Sequence, residues 1–306
     1  MKDNNLLLSV LVELRVISPT IILGPLGIPI HGWLLSQIQQ YDPDYSKHLH
    51  DLNDKKPYTI STLLDDNGSP LGVGRKLDSG DRCWIRITGF DDTFNLLLIS
   101  KILAGFRKKP TSIKLYKMDF LIYDHTFNRA NHPLARKSTY TEFVQSIKNF
   151  NPIMEVNLHF HSPTAIQSDG IELPLPLPVP MFGKYLEGWN KYCPANLKID
   201  EGWSTFTKSF LLLNIFSSIE TYEWVVPGKD QHGESLNIKT VGFKGVAKVK
   251  LLKKQKYPYS SDVWNDTLVV MQLLADFSFY CGTGHHTSVG MGQTTLFPLE
   301  IGYENR

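Results

Sequence analysis

The sequence predicts an α+β chain built from two tandem ferredoxin-like domains, spanning residues 1–135 and 136–306. Three observations carry this. Strand-like and helix-like segments of the first half follow one another as β-α-β-β-α-β. The second half again reads as helices and paired strands with a β-α-β ending. The 306 residues, 42% hydrophobic and 20% charged, are enough for two ordinary cores and too apolar for wholesale disorder.

Leu6 to Ile17 is rich in Leu and Val with partial alternation and reads as the first strand. Ile30 to Gln40 reads as a helix, with Leu34, Ile38 and Tyr41 on one face and Pro29 suited to its first turn. Asp42-Pro43 restarts a second short helix through Leu52, with Asp42 as N-cap. Tyr58 to Leu64 and Arg82 to Thr88 read as strands, Asp91 to Leu103 as an acid-started helix, and Ser112 to Tyr123 as one or two strands. The polar stretch Asn128 to Ser138 reads as a linker. In the second half, Ile153 to His161 is a strand, and Leu173-Pro-Leu-Pro-Leu-Pro-Val-Pro180 is an extended segment. Met181 to Tyr192 and Trp203 to Phe216 read as helices, Ser218 to Val226 as a strand and Leu236 to Leu252 as a long hairpin. Asp262 to Phe279 is the last helix and Gln293 to Leu299 the last strand.

Composition narrows the function. The net charge is only +2, so any nucleic-acid contact comes from a local patch. Cys83, Cys193 and Cys281 are odd in number and widely spaced, which fits a reduced, cytoplasmic setting and excludes a disulfide framework or a four-cysteine zinc site. The N-terminus lacks the basic start of a signal peptide, and the apolar run Leu6 to Leu14 is too short to span a membrane.

The most informative motif joins the last helix to the last strand. Gly282 to Gly292 reads Gly-Thr-Gly-His-His-Thr-Ser-Val-Gly-Met-Gly. Glycines allow positive φ and a close backbone approach, and successive amides in such a loop form an anion-binding nest. The spacing matches neither a Walker loop nor a Rossmann fingerprint, so the loop points to RNA more than to a nucleotide. Gly282, Gly284, His285, His286, Ser288, Gly290 and Gly292 are its candidate RNA contacts.

The loop resembles the C-terminal glycine loop of the RAMP (repeat-associated) superfamily. Three further segments resemble that superfamily's CRISPR-associated pre-crRNA processing endoribonuclease: Ile30-His-Gly-Trp-Leu-Leu-Ser-Gln-Ile38, Phe160-His-Ser-Pro-Thr164 and Val241-Gly-Phe-Lys-Gly-Val246. Thr283 stands where the family usually has an apolar residue. The resemblance implies two RRM-like domains. It also implies cleavage of CRISPR repeat RNA without a metal or other cofactor, leaving a 2′,3′-cyclic phosphate and a 5′-hydroxyl. Repeat RNA is the implied partner, with effector-complex subunits and a second copy of the chain as further ones. The alternative is a non-catalytic RAMP subunit that only binds guide RNA.

Metal-independent RNA cleavage needs a base for the 2′-OH proton, an acid for the departing 5′-oxygen and a donor or cation for the phosphorane. Histidine suits both proton roles. His31, at the start of the first long helix, points partly to the apolar side and is either a half-buried structural residue or a catalytic one. His50 ends the second short helix, where a helix C-terminus favours the imidazolium. Leu49-His50-Asp51 with Lys56 is similar to the Leu-His-Glu…Lys segment of family members that use a histidine and a lysine. This implies catalytic roles for His50 and Lys56. The tyrosine those members carry in the first helix corresponds to Leu35 here, leaving His31 as the candidate on that helix. His48 faces elsewhere, as a surface residue.

His159 and His161 share one side of a strand, but no further ligand with metal-site spacing follows, so no metal site is expected. Lysines cluster late in the chain, at Lys239, Lys244, Lys248, Lys250, Lys253, Lys254 and Lys256. Lys244, Lys248 and Lys250 share strand parity and are candidate phosphate contacts, with Phe243 and Tyr257 interleaved; a solvated edge is the plainer reading. A second basic run is Arg107-Lys108-Lys109.

Overall fold

The first strand is almost unbroken in its apolar character because it is central and covered on both faces. In the computed structural model, which describes residues 5–52, 55–106, 110–149, 151, 153–168, 170–215, 218–229, 235–252 and 260–296, this is β1 (Leu6–Val16). The chain forms two units. One is Met1–Phe143 with Tyr192–Leu197 and His286–Gly290; the other is Val144–Lys191 with Lys198–His285 and Met291–Arg306.

In the first unit β1 is followed by β2 (Thr20–Ile21), α1 (Gly27–Tyr41), α2 (Pro43–Asp51), β3 (Tyr58–Leu64), β4 (Lys76–Leu77) and β5 (Arg82–Gly89). Then come α3 (Asp92–Leu97), a π-helical segment Leu98–Leu103, α4 (Ala104–Phe106), β6 (Thr111–Leu115), β7 (Met118–Thr126) and β8 (Arg136–Thr139). The antiparallel sheet runs β3-β5-β1-β7-β6. Without the added β6 this is second-third-first-fourth, the ferredoxin order. Register follows the alternation of β1. Val10, Val12, Leu14 and Val16 join the core formed with Ile30, Leu34 and Ile38 of α1. Ser9 faces the other way and accepts from the buried Arg86, whose Nε lies 2.8 Å from the serine hydroxyl.

Helix ends follow local chemistry. Pro29 sits in the first turn of α1, where an amide would have no helical partner. Asp42 ends α1 and caps α2, its carboxylate accepting from Tyr45 N at 2.9 Å. Asp91 caps α3 through Phe94 N.

Several expectations change. The stretch read as a linker is packed structure that ends in the first sheet: β8 pairs with Leu6–Ser9 of β1, and His132 is buried against Trp84 at 5.1 Å. Ser9 also donates to Leu134 O at 2.6 Å, fixing this stretch over the sheet. The helix expected from Asp91 widens into a π-helical segment at Leu98, which residue spacing alone does not reveal.

The second unit takes up the chain within α5 (Tyr140–Lys148) and continues through β9 (Glu155–Thr164), β10 (Ile166–Ser168), β11 (Ile171–Leu173) and α6 (Pro178–Tyr192); after a 3₁₀ turn Ala195–Leu197, which belongs to the first unit, it resumes with α7 (Gly202–Thr207). β12 (Leu211–Ile215), β13 (Glu220–Lys229), β14 (Ser235–Leu251), α8 (Ser261–Cys281), a 3₁₀ turn Thr287–Val289 and β15 (Thr294–Leu296) complete the chain. Sheet order is β12-β14-β9-β15, with β13 also on β14. The order is again ferredoxin-like.

Trp203 to Phe216 is not one helix. It breaks after Thr207, and Leu211 to Ile215 pairs with β14; a short apolar run fits either state by periodicity, and the free edge of β14 decides. Leu236 to Leu252 is one long strand rather than a hairpin; its hairpin partner is β13. The proline run is not extended as expected: the strand ends at Leu173, Leu175 lies in a bend with Leu177 N donating to Leu175 O at 2.9 Å, and Pro178 and Pro180 enter the first turn of α6, where their missing amides cost nothing.

Candidate active site

His31 opens the second turn of α1, one residue after buried Ile30, and its ring is half-buried at the edge of the core. Its Nε2 is 2.9 Å from the hydroxyl of Tyr58, the first residue of β3. Tyr58 is fully buried and stacks on Phe94 at 4.8 Å. Burial lowers the proton affinity of His31 most, and the positive charges of Lys56 and His50 add to this. Together they bring its pKa from the usual 6.5 to about 4. The ring is therefore neutral near pH 7.

That shift has a consequence for stability. Unfolded, the ring binds a proton below about pH 6.5; folded, only below about 4. Between these values the unfolded chain holds more protons, so stability through this residue is lost as the pH falls. Denaturant titrations of the wild type and His31→Ala should show a difference that shrinks by about 3 kcal/mol from pH 7 to pH 4. His132 and His159, also shifted down by burial, are present in both proteins and cancel. A difference that does not vary with pH contradicts the shift.

His50 is exposed in the last turn of α2, with Nδ1 3.2 Å from Asp51. Lys56 is half-buried under the same helix end. Its ammonium donates to Leu49 O, His50 O (3.4 Å) and Leu52 O (3.3 Å), satisfying carbonyls that α2 leaves open. Its proton affinity is lowered by burial. His48 is exposed beside Tyr45, and Leu35 packs against the core.

All four loop glycines have positive φ: 65° at Gly282, 77° at Gly284, 93° at Gly290 and 67° at Gly292. A Cβ at Gly284 would lie 2.0 Å from Ala165 O. The loop does not belong wholly to the second domain. Its central residues, His286 to Gly290, are in the first unit, packed on β3 and on the start of α1. A Cβ on Gly27 would stand 1.7 Å from Val289 O, and one on Gly290 would stand 3.2 Å from Gly27 Cα. The middle of the loop thus seats the first turn of the helix that carries His31.

Much of the loop's donor capacity holds its own shape. The amides of Thr283, His285, Val289 and Gly292 donate to Gly292 O, Ala165 O, His286 O and Pro163 O. Thr283 finds polar company for its hydroxyl, 2.5 Å from Tyr185 OH and 2.7 Å from Thr294 Oγ1. His285 Nε2 is 3.4 Å from Glu172, and His286 takes the left-handed conformation that begins the 3₁₀ turn containing Ser288.

The lysine patch is partly neutralised. Lys248 and Lys250 share Glu155 at 3.0 and 3.5 Å, and Lys244 lies 4.7 Å over the Tyr222 ring, its proton affinity lowered by burial. Phe243 is core, packed on Phe160, and offers no surface for a base. The side chain of Lys239 is not described; Lys253, Lys254, Lys256, Tyr257 and the run Arg107-Lys108-Lys109 lie outside the described residues. The rings of His159 and His161 lie 3.9 Å apart, tilted at 42°, with His161 Nε2 2.7 Å from the Thr295 hydroxyl. Among the described residues no three or more His, Cys, Asp or Glu side chains form a metal-binding group, and no helix is long and apolar enough to cross a membrane.

Two residues escaped sequence reasoning. Tyr58 looked like an ordinary strand residue, although a tyrosine in an apolar face needs a partner for its hydroxyl. Gly27 had no signal, because its partner is more than 250 residues away.

Residues 158–294 match the family model described as CRISPR-associated endoribonuclease Cas6. A comparison with curated proteins finds no match. Among solved structures, a Cas6 product complex aligns with TM-score 0.71 and 20% identity over 95% of this chain and 99% of that one. A Thermus thermophilus Cas6 aligns with TM-score 0.63 and 20% identity over 95% and 98%. A Cas6 substrate mimic complex aligns with TM-score 0.63 and 18% identity over 95% and 99%. These likenesses establish a shared fold of tandem ferredoxin-like domains over 95% of the chain. Residues 158–294 are thus similar to the Cas6 endoribonuclease family, and the chain shares the fold of solved Cas6 structures.

Proposed function

We propose that this chain is an endoribonuclease, similar to the Cas6 family it matches over residues 158–294, and that it cuts CRISPR repeat precursor RNA without a metal ion. The 2′-OH attacks the adjacent phosphorus, the bond to the 5′-oxygen breaks, and a 2′,3′-cyclic phosphate and a 5′-hydroxyl result. The observation that carries this reading is the neutral, half-buried His31, electrostatically coupled to Lys56 and His50 and lying on the helix that the glycine loop seats. His31 and His50 supply the imidazoles that acid–base catalysis requires, and Lys56 adds positive charge toward the phosphorane. The exposed parts of the glycine loop, with Lys244, Lys248 and Lys250, hold RNA by backbone and charge contacts. The solved Cas6 product and substrate-mimic complexes are in keeping with a nucleolytic role.

Incubation with repeat RNA in EDTA tests the mechanism. Cleavage should persist in EDTA and vanish when the scissile nucleotide carries a 2′-deoxy sugar. Loss of cleavage in EDTA, or cutting of the deoxy substrate, rules this chemistry out. RNA bound tightly but left whole would point instead to a chain that only carries guide RNA.

A further inference from the structure

His31 is tied to the protein through one ring nitrogen. Nε2 meets Tyr58 OH at 2.9 Å, and among the described residues no other group hydrogen-bonds the ring, leaving Nδ1 without a protein partner. Tyr58 OH likewise has no second hydrogen-bonding partner among the described residues. The tyrosine is fully buried, its ring held on Phe94 at a 15° interplanar angle, so it cannot swing to water. Burial also raises its pKa, and the hydroxyl keeps its proton. That proton has one acceptor within reach, and a buried donor left unpaired is costly.

The hydroxyl therefore donates to Nε2. A neutral imidazole that accepts at Nε2 carries its hydrogen on Nδ1. We infer that Tyr58 is a positioning residue that locks His31 in the Nδ1–H tautomer and so presents a hydrogen-bond donor, not a lone pair, to the RNA phosphate. This rests on the proposed catalytic role of His31 and narrows it. His31 enters the reaction on the phosphate side, stabilising negative charge that grows on the phosphate oxygens. The group that takes the 2′-OH proton is a different one.

Nitrogen-15 NMR of the full-length wild type near pH 7 tests the tautomer directly. The His31 signals should show a protonated Nδ1 and an unprotonated Nε2; the reverse pattern overturns the inference. Tyr58→Phe keeps the ring stack and removes only the hydroxyl. It should lower kcat on the order of 10²-fold with KM within about twofold, less than the ~10⁴-fold that losing a tautomer-fixing carboxylate costs a serine protease. The tautomer signals should change with it. If His31→Ala cuts normally, the underlying role of His31 fails. If His31→Ala is inactive while Tyr58→Phe keeps both its kcat and the wild-type tautomer, the role of Tyr58 fails alone. Should Tyr58→Phe not fold, the wild-type spectrum still decides.

Discussion

Replacing His31 by alanine is expected to slow single-turnover cleavage of repeat RNA by about 10³-fold, within the range that loss of one positioned acid–base or donor group costs. Binding should change little, because a neutral ring contributes no net charge to phosphate attraction. His50→Ala should also slow the chemical step, and the double variant should lose less than the product of the two if both act on one transition state. The measurement is a rate at saturating protein together with an equilibrium affinity. Weaker RNA binding at an unchanged saturated rate would make His31 a binding residue. Two variants that both cut at wild-type rate would move the site elsewhere.

The second large effect is expected far from any reacting atom. Gly27→Ala places a methyl group 1.7 Å from the Val289 carbonyl oxygen, and backbone lies on both sides of that contact. Neither side yields as a flexible side chain would. The first turn of α1 must shift, or residues 286–290 must leave their seat on it. We expect a loss of about 3 kcal/mol in unfolding free energy, at the upper end for overpacking, with reduced cleavage even in molecules that remain folded. Gly32→Ala is the internal control. It lies on the exposed side of the same helix with nothing within 4 Å of the added methyl, and should stabilise the protein by about 0.5–1 kcal/mol. Denaturant melts of the two variants separate the hypotheses. If they shift alike, the seating of α1 by the glycine loop is unimportant.

Much of the fold was legible because the signals were local. Alternation in Leu6 to Val16, the Asp42-Pro43 restart and the Asp91 cap each state their structure within a few residues. The errors fall where a distant partner decides. Leu211 to Leu213 became strand because β14 offered an edge, and the polar stretch before Ser138 became structure because β1 had an open ladder at Leu6–Ser9. The lysines of β14 were legible as a positive row. Their pairing with Glu155 was not, since that carboxylate sits on another strand.

The candidate site divides the same way. By itself the sequence determined the cast: two ferredoxin-like orders of elements, a glycine loop that needs four positive φ angles, and histidines on the first two helices. Those properties are intrinsic to residue type and short-range spacing. Only the tertiary structure decided that the loop's middle seats α1, that Lys56 closes the end of α2, and that Tyr58 fills the one ring nitrogen His31 turns inward. Each depends on a contact between segments separated in sequence. Such a contact is set by how sheets and helices pack, and burial then fixes the protonation that the chemistry uses.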